Sequence, residues 1–185
     1  MMNTKDRSDI MQLVYIALCS AMICLLTMAV RIPTYIGYTH LGDSMIFVSA
    51  IILGKKGGAI ASAIGMSLAD ILGGYIVWAP FTFIIKGIMG YIAGSIAYRY
   101  GYKGEDFKNN IIACVVSGIW MVAGYYFANV IITRFVYVKT ANIYESIKVA
   151  ALGIPSNIVE VLVGALVAFY LIKALRGYRE KSNRY

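Results

Sequence analysis

Residues 59–98 read AIASAIGMSLADILGGYIVWAPFTFIIKGIMGYIAGSIAY. Two apolar runs, about 59–75 and 80–98, are separated only by Ile76-Val77-Trp78-Ala79. At about 1.5 Å per helical residue, each run crosses most of a bilayer core. Pro80 suits the first turn of the second helix, where no backbone donor is needed. Ala61, Gly65, Ala69 and Gly73 recur at every fourth position, and Gly90 and Gly94 repeat that spacing. Such small-residue ridges let helices in lipid approach closely. Two ionisable groups, Asp70 and Lys86, stand inside these runs, where each costs several kcal/mol if it faces hydrocarbon. The pattern is that of a helical membrane bundle with a polar interior.

The rest of the chain extends the pattern. Only 14% of its 185 residues are charged and 60% are hydrophobic, whereas a soluble domain carries about 25% charged residues. The predicted architecture is an all-α membrane protein, one domain over residues 1–185, with six transmembrane spans at about 11–30, 42–54, 59–75, 80–98, 110–132 and 148–175. The second span is short, and Lys55-Lys56-Gly57-Gly58 reads as a basic turn after it. The first run is long for a signal peptide, carries Asp6 and Asp9 before it, and ends at Arg31 and Pro33, so it reads as a retained span. Lys and Arg gather at Lys55, Lys56, Arg99, Lys103, Lys108 and the tail. The other side holds only Arg31, Arg134, Lys139 and Lys148. This asymmetry places both termini in the cytoplasm of a multi-pass cell-membrane protein, expected in a bacterial plasma membrane.

The net charge of +8 therefore reflects membrane orientation, and nucleic acid is not an expected partner. Cys19, Cys24 and Cys114 all lie in apolar runs without metal-site spacing. No phosphate-binding loop, zinc-protease helix or serine-hydrolase elbow occurs, so the chain is not read as an enzyme. Any ATP that drives it is bound by partner chains.

Depth gives the intramembrane polar residues their meaning. Lys86 lies roughly 9 Å, and Asp70 about 8 Å, below the outer ends of their spans. Asp43 opens the second span. Asn157 and Glu160, three apart on one helix face, lie roughly 13 to 18 Å down. With Asn129 they converge beneath the outer loops, as the walls of a cavity would. Plainer readings stand beside this one. Asp43 caps a helix, Asp70 and Lys86 form a structural pair, or Asn157 satisfies carbonyls freed by Pro155. Glu160 has no cationic neighbour one turn away, which favours ligand contact or pairing with Lys86. Tyr35, Tyr38, Tyr75, Trp78, Phe81, Tyr125 and Tyr126 either belt the interface or offer faces for a flat ring. His40 is a lone loop histidine with a small metal prospect. The candidate substrate site is Lys86, Glu160, Asn157, Trp78, His40, Asp43, Asp70, Tyr125, Asn129 and Tyr38, with no metal.

Three features resemble the substrate-binding S components of energy-coupling factor (ECF) vitamin transporters. They are His40-Leu41-Gly42-Asp43, the segment from Gly57 to Gly94 (SLADILGGY at 67–75, Ala79-Pro80, FIIKG at 83–87), and Ala17-x-x-x-Ala21. The resemblance implies six helices, an outward pocket and a first outer loop serving as a lid. It also implies a transmembrane coupling subunit docked on Ala17 and Ala21, and two cytoplasmic ATPases. The middle segment looks closest to members handling pyridoxine-like or hydroxymethylpyrimidine compounds. Riboflavin is the runner-up, because the opening of span two departs from riboflavin binders, and Lys86 leaves room for a carboxylate such as pantothenate. Outside this family, Asp70, Lys86 or Glu160 would serve a stand-alone secondary carrier as a proton relay. The absence of an evident internal repeat weighs against that carrier.

Overall fold

The computed structural model describes residues 4–34, 37–137 and 142–182; Tyr35 and Lys139 lie outside the described residues. The described residues form helices apart from one two-stranded ribbon and short connections. Helix α1 covers Thr4–Ala29, and strands β1 (Arg31–Thr34) and β2 (Gly37–His40) form an antiparallel hairpin with Arg31 opposite His40. Then come α2 (Gly42–Leu72), α3 (Ala79–Ala97), a 3-10 turn (Arg99–Gly101) and α4 (Phe107–Ile132). A π-helical turn (Thr133–Tyr137) leads to α5 (Ile143–Ala151) and α6 (Ile154–Ser182). Five helical stretches among the described residues are long and apolar enough to cross a membrane.

The residues expected to form two spans, 42–54 and 59–75, fall within α2. Gly54 interrupts it with φ 71° and ψ −171°, a conformation that needs glycine. A Cβ on Gly58 would lie 2.6 Å from the Ala50 Cα, and one on Gly42 would lie 3.1 Å from the Met66 sulfur. In an unbroken helix these pairs would be about 12 and 36 Å apart. The chain therefore doubles back at Gly54 itself, one residue before the expected basic turn. Tyr98 covers the break, its hydroxyl donating to the Ile52 carbonyl at 2.8 Å. That bond satisfies an acceptor the turn leaves without a helical donor.

The second limb of α2 packs backbone to backbone on α3. A Cβ on Gly90 would sit 2.6 Å from the Gly58 carbonyl oxygen, and one on Gly94 2.6 Å from the Gly54 carbonyl carbon. The small-residue ridges are thus contact surfaces inside the chain. On α1, Ile16, Ser20, Ile23 and Thr27 face inward, while Ala17 and Ala21 are exposed on the opposite face.

Two boundaries differ from the sequence reading. The segment expected to be irregular before residue 148 contains α5, started by a capping box between Asn142 and Glu145. Its break from α6 comes at Leu152-Gly153, just ahead of Pro155. The connection after the first helix is the β hairpin, absent from an all-α reading because its strands are only four residues each.

Tight backbone contact makes a direct prediction. Gly90→Ala should cost about 1–3 kcal/mol in thermal unfolding of the detergent-solubilised protein. Gly87→Ala should cost less, because the nearest atom to its Cβ would be the Ala63 methyl, at 3.2 Å, with backbone no closer than 3.8 Å. Equal stabilities of the two variants would show that α3 can move away from α2.

Candidate ligand-binding site

The centre of the bundle holds three charged side chains from three separate helical segments. Lys86, fully buried on α3, places its Nζ 2.5 Å from Asp43 Oδ1 on the first limb of α2 and 2.8 Å from Glu160 Oε1 on α6. Asp43 does not cap its helix: Leu41 is the cap residue, and no side chain bonds there. Nor does Asp70 pair with Lys86; it accepts a hydrogen bond from the Tyr38 hydroxyl at 2.6 Å. The Lys86 ammonium is saturated by carboxylates from segments far apart in sequence, which spacing along one helix cannot reveal.

Packing explains why His40-Leu41-Gly42-Asp43 reads as it does. A side chain on Gly42 would collide with the Thr27 hydroxyl of α1, so glycine lets the hairpin turn tightly into α2. That turn brings His40 and Asp43 together at the cluster, with side-chain atoms within 4.8 Å of each other and of Glu160. His40 Nε2 lies 3.5 Å from Glu160 Oε1, and Thr39 Oγ1 donates to Glu160 Oε2 at 3.1 Å. The other strand is tied down by Arg31, whose Nη2 donates to the Ala69 carbonyl at 2.9 Å while its guanidinium lies 4.6 Å from the Tyr38 ring centre. Burial, reinforced by the neighbouring Lys86 charge, pushes the His40 pKa down to about 3, so the imidazole is neutral. Burial and the adjacent Asp70 raise the Tyr38 pKa, which keeps it protonated and a donor.

Beside the cluster lies a small, partly open cavity. The hairpin contributes Tyr38 and His40 to its wall, and α2 and the following connection contribute Asp70, Tyr75 and Trp78. Thr82 comes from α3, Tyr125 and Asn129 from α4, and Gly153, Asn157 and Glu160 from the last part of the chain. Trp78 is fixed by an Nε1 hydrogen bond to the Tyr137 hydroxyl at 3.0 Å, and its ring lies 6.2 Å from that of Tyr125. Asn129 Oδ1 and His40 Nδ1 are buried without a hydrogen-bond partner among the described residues. All these groups come from the same end of the bundle, opposite Lys55 and the Arg99–Asp106 connection.

Eight of the ten candidate residues line this cavity, and two do not. Lys86 and Asp43 are sealed behind its wall, because each is consumed by the ion cluster. Thr82 and Gly153 line it without having been singled out. Thr82 had a signal, since it precedes Lys86 by one helical turn on the same face; Gly153 had none. Phe81 and Tyr126 are half-buried but line no part of the cavity. His40, Asp43 and Glu160 lie close enough together to ligate a metal ion, but the Lys86 ammonium already bridges two of the three.

Residues 7–177 match the family model for the ECF-type riboflavin transporter, S component. The chain belongs to this family. The S component is 40% identical over 102 residues to an uncharacterised protein from Pyrococcus woesei, a match covering 54% of this chain and 65% of that protein. Its fold is similar to that of a bacterial ECF transporter S component of solved structure, with a TM-score of 0.68 and 18% identity over 92% of this chain and 98% of that one. The family is one of transporter components and not of enzymes, and the apolar helices make this S component a multi-pass membrane protein.

Two predictions follow from the cluster. Lys86→Met should destabilise the solubilised S component by about 3–5 kcal/mol, since it leaves two facing buried carboxylates without a cation. A melting temperature equal to wild type would show that the carboxylates relax apart. His40 binds its proton less readily when folded than when exposed, so the unfolded chain takes up more protons below pH 6.5. The contribution of His40 to stability should therefore fall as pH drops through the window from 6.5 toward 3. His40→Gln should flatten that part of the pH profile; an unchanged slope would assign the proton to another group.

Proposed function

We propose that this S component captures a riboflavin-type flavin outside the cell membrane and carries it inward, with ATP hydrolysed by partner chains. The observation that carries the reading is the cavity itself, an aromatic hollow roofed by the β hairpin and holding a few fixed polar groups. The family's name favours a flavin over a single pyridine or pyrimidine ring. Lys86 is neutralised and lines no part of this cavity, which removes the partner a pantothenate carboxylate would need.

In this reading the two limbs of α2 act as separate spans and the chain crosses six times. The few Lys and Arg at the cavity end, against Lys55, Lys56, Arg99, Lys103 and Lys108 at the other, support an outward cavity and cytoplasmic termini. The partners are a transmembrane coupling subunit and two cytoplasmic ATPases. Exposure of Ala17 and Ala21 on one face of α1 supports that face as the docking surface, where small side chains permit close helix approach.

Quenching of flavin fluorescence on titration into purified protein tests the ligand. Submicromolar riboflavin binding is expected, and Trp78→Ala should weaken it at least tenfold through lost stacking, at about 1–3 kcal/mol per ring contact. Binding of pyridoxine or hydroxymethylpyrimidine with no response to riboflavin would overturn the flavin assignment. Replacing Ala17 and Ala21 together with Leu should preserve ligand binding and abolish uptake by cells carrying the complete transporter. Undiminished uptake would place docking on another face.

A further inference from the structure

Two connections meet at the end of the bundle opposite the cavity: the Gly54 turn within α2, and residues 99–106 between α3 and α4. Tyr98 covers Gly54, and a Cβ on Gly104 would collide with the Ile51 carbonyl, so the two connections form one surface. That surface carries Lys55, Lys56, Lys103 and Lys108, all exposed, and the half-buried Arg99, against the carboxylates of Glu105 and Asp106. Asp106 is engaged as the cap of α4, accepting from the Asn109 backbone N–H at 2.6 Å. Because α3 and α4 are both long and apolar enough to cross a membrane, their connection lies where the headgroups begin. Its backbone is held in an unfavourable form. Tyr100 (φ 53°) and Lys103 (φ 49°) are the only non-glycine residues at positive φ among the described residues, and each precedes a glycine in the same region. A side chain there crowds its own backbone, so the form persists only where something holds it. Here the Gly104 N–H donates to the Ala97 carbonyl at 2.9 Å, and the Asn110 amide donates to the Gly104 carbonyl at 2.7 Å. Tyr100 is thereby left 84% exposed, with the Arg99 guanidinium 5.4 Å from its ring centre.

We infer that this surface binds the headgroup of an anionic phospholipid, with Tyr100 and Lys103 as contacts set in advance and Lys55 and Lys56 beside them. An ammonium gains more from a phosphodiester at the bilayer boundary than in open water, because the dielectric is lower there. A tyrosine, with an apolar ring and a polar tip, suits the same depth. Tyr100 occupies a costly conformation while most of its surface faces outward, so its return comes from outside the chain. A soluble anion would match the lysines but offer nothing to that ring, whereas a lipid satisfies both. The loop is already fixed by its own hydrogen bonds, so binding orders little backbone. The inference does not involve the cavity. It rests on the cytoplasmic placement of this end, proposed above, only for which leaflet supplies the lipid.

The test is native mass spectrometry of the full chain released from mixed micelles of dioleoylphosphatidylglycerol and dioleoylphosphatidylcholine in equal amounts, lipids that share acyl chains and differ in headgroup charge. The anionic lipid should be retained at least about tenfold over the zwitterionic one. Lys103→Asn combined with Lys55→Gln and Lys56→Gln should bring the ratio near one, since asparagine tolerates the left-handed backbone and only charge is lost. Should the triple variant fail to fold, Lys103→Asn alone and added salt on the wild type should each lower the ratio. Tyr100→Asn should lower retention several-fold while its melting temperature in neutral detergent stays at or above that of wild type. A marked fall in that temperature would show that Tyr100 serves the chain's own packing, against the inference. Equal retention of the two lipids by wild type would overturn it, as would a preference that survives the charge variants. Equal thermal stabilisation by inorganic phosphate would reduce the surface to an anion site without lipid selection. Charge variants that keep the lipid ratio but lose the ATPase partners would give the surface to protein docking. Neither the flavin nor the membrane orientation enters the measurement, so failure of either reading leaves this test standing.

Discussion

The fold is organised by one buried cation. Lys86 carries no exposed surface, and its two carboxylate partners arrive from the first limb of α2 and from α6. An ammonium in a lipid-embedded bundle is tolerable only if its charge is met at hydrogen-bond distance. Meeting it fixes the relative depth of three helical segments at once. Glycines make this possible: a Cβ on Gly164 would lie 2.9 Å from that of Asp43, so α6 approaches α2 closely just where the carboxylate must turn toward Lys86. The contacts of Gly90 and Gly94 bring α3 against the second limb of α2 in the same way.

The cavity follows from that arrangement. Because Asp43 and Lys86 neutralise each other behind the wall, the wall itself is left to aromatic rings, two asparagines and the outward faces of Asp70 and Glu160. The β hairpin is held over it at several points by unlike interactions. Arg31 binds the end of α2, Tyr38 binds Asp70, and Thr39 binds Glu160. Glu160 is shared between the hairpin and the ion cluster, so the roof and the floor of the cavity are held by one carboxylate.

Much of this architecture was legible in the sequence, for physical reasons that differ by element. Runs of apolar residues interrupted by single charges identify membrane helices because lipid imposes that pattern on any chain. The small-residue ridges announced close packing, and the glycines of α3 do touch backbone. The partners of Lys86 were legible in part: Glu160, with no cation one turn away, read as a ligand contact or as a pair for Lys86, and it does pair. Asp70 is the other obvious candidate for Lys86 because their helices are consecutive, yet Asp70 bonds to the hairpin and the cation reaches segments distant in sequence. Pairing across a bundle depends on helix rotation, which no local spacing encodes. The hairpin escaped notice because strands of four residues, one containing Pro33, give too little alternation to detect. The helix before Gly153 did have a signature, the capping pair Asn142 and Glu145, hidden in a stretch that reads as polar and irregular.

A buried ion cluster is weak support for stability, since apolar residues of similar volume often hold a core as well or better. Its value here is positional. Apolar contacts are tolerant of small rotations and shifts, whereas a carboxylate bonded at 2.8 Å to a fixed ammonium is not. Glu160 must present one oxygen to Lys86 and the other to Thr39 while forming part of the cavity wall, and only a directional partner behind it sets that orientation. The electrostatic cost of placing Lys86 in the bundle is thus tied to the geometry of the ligand site. A core of leucines would support the same helices without defining where the acidic edge of the cavity lies.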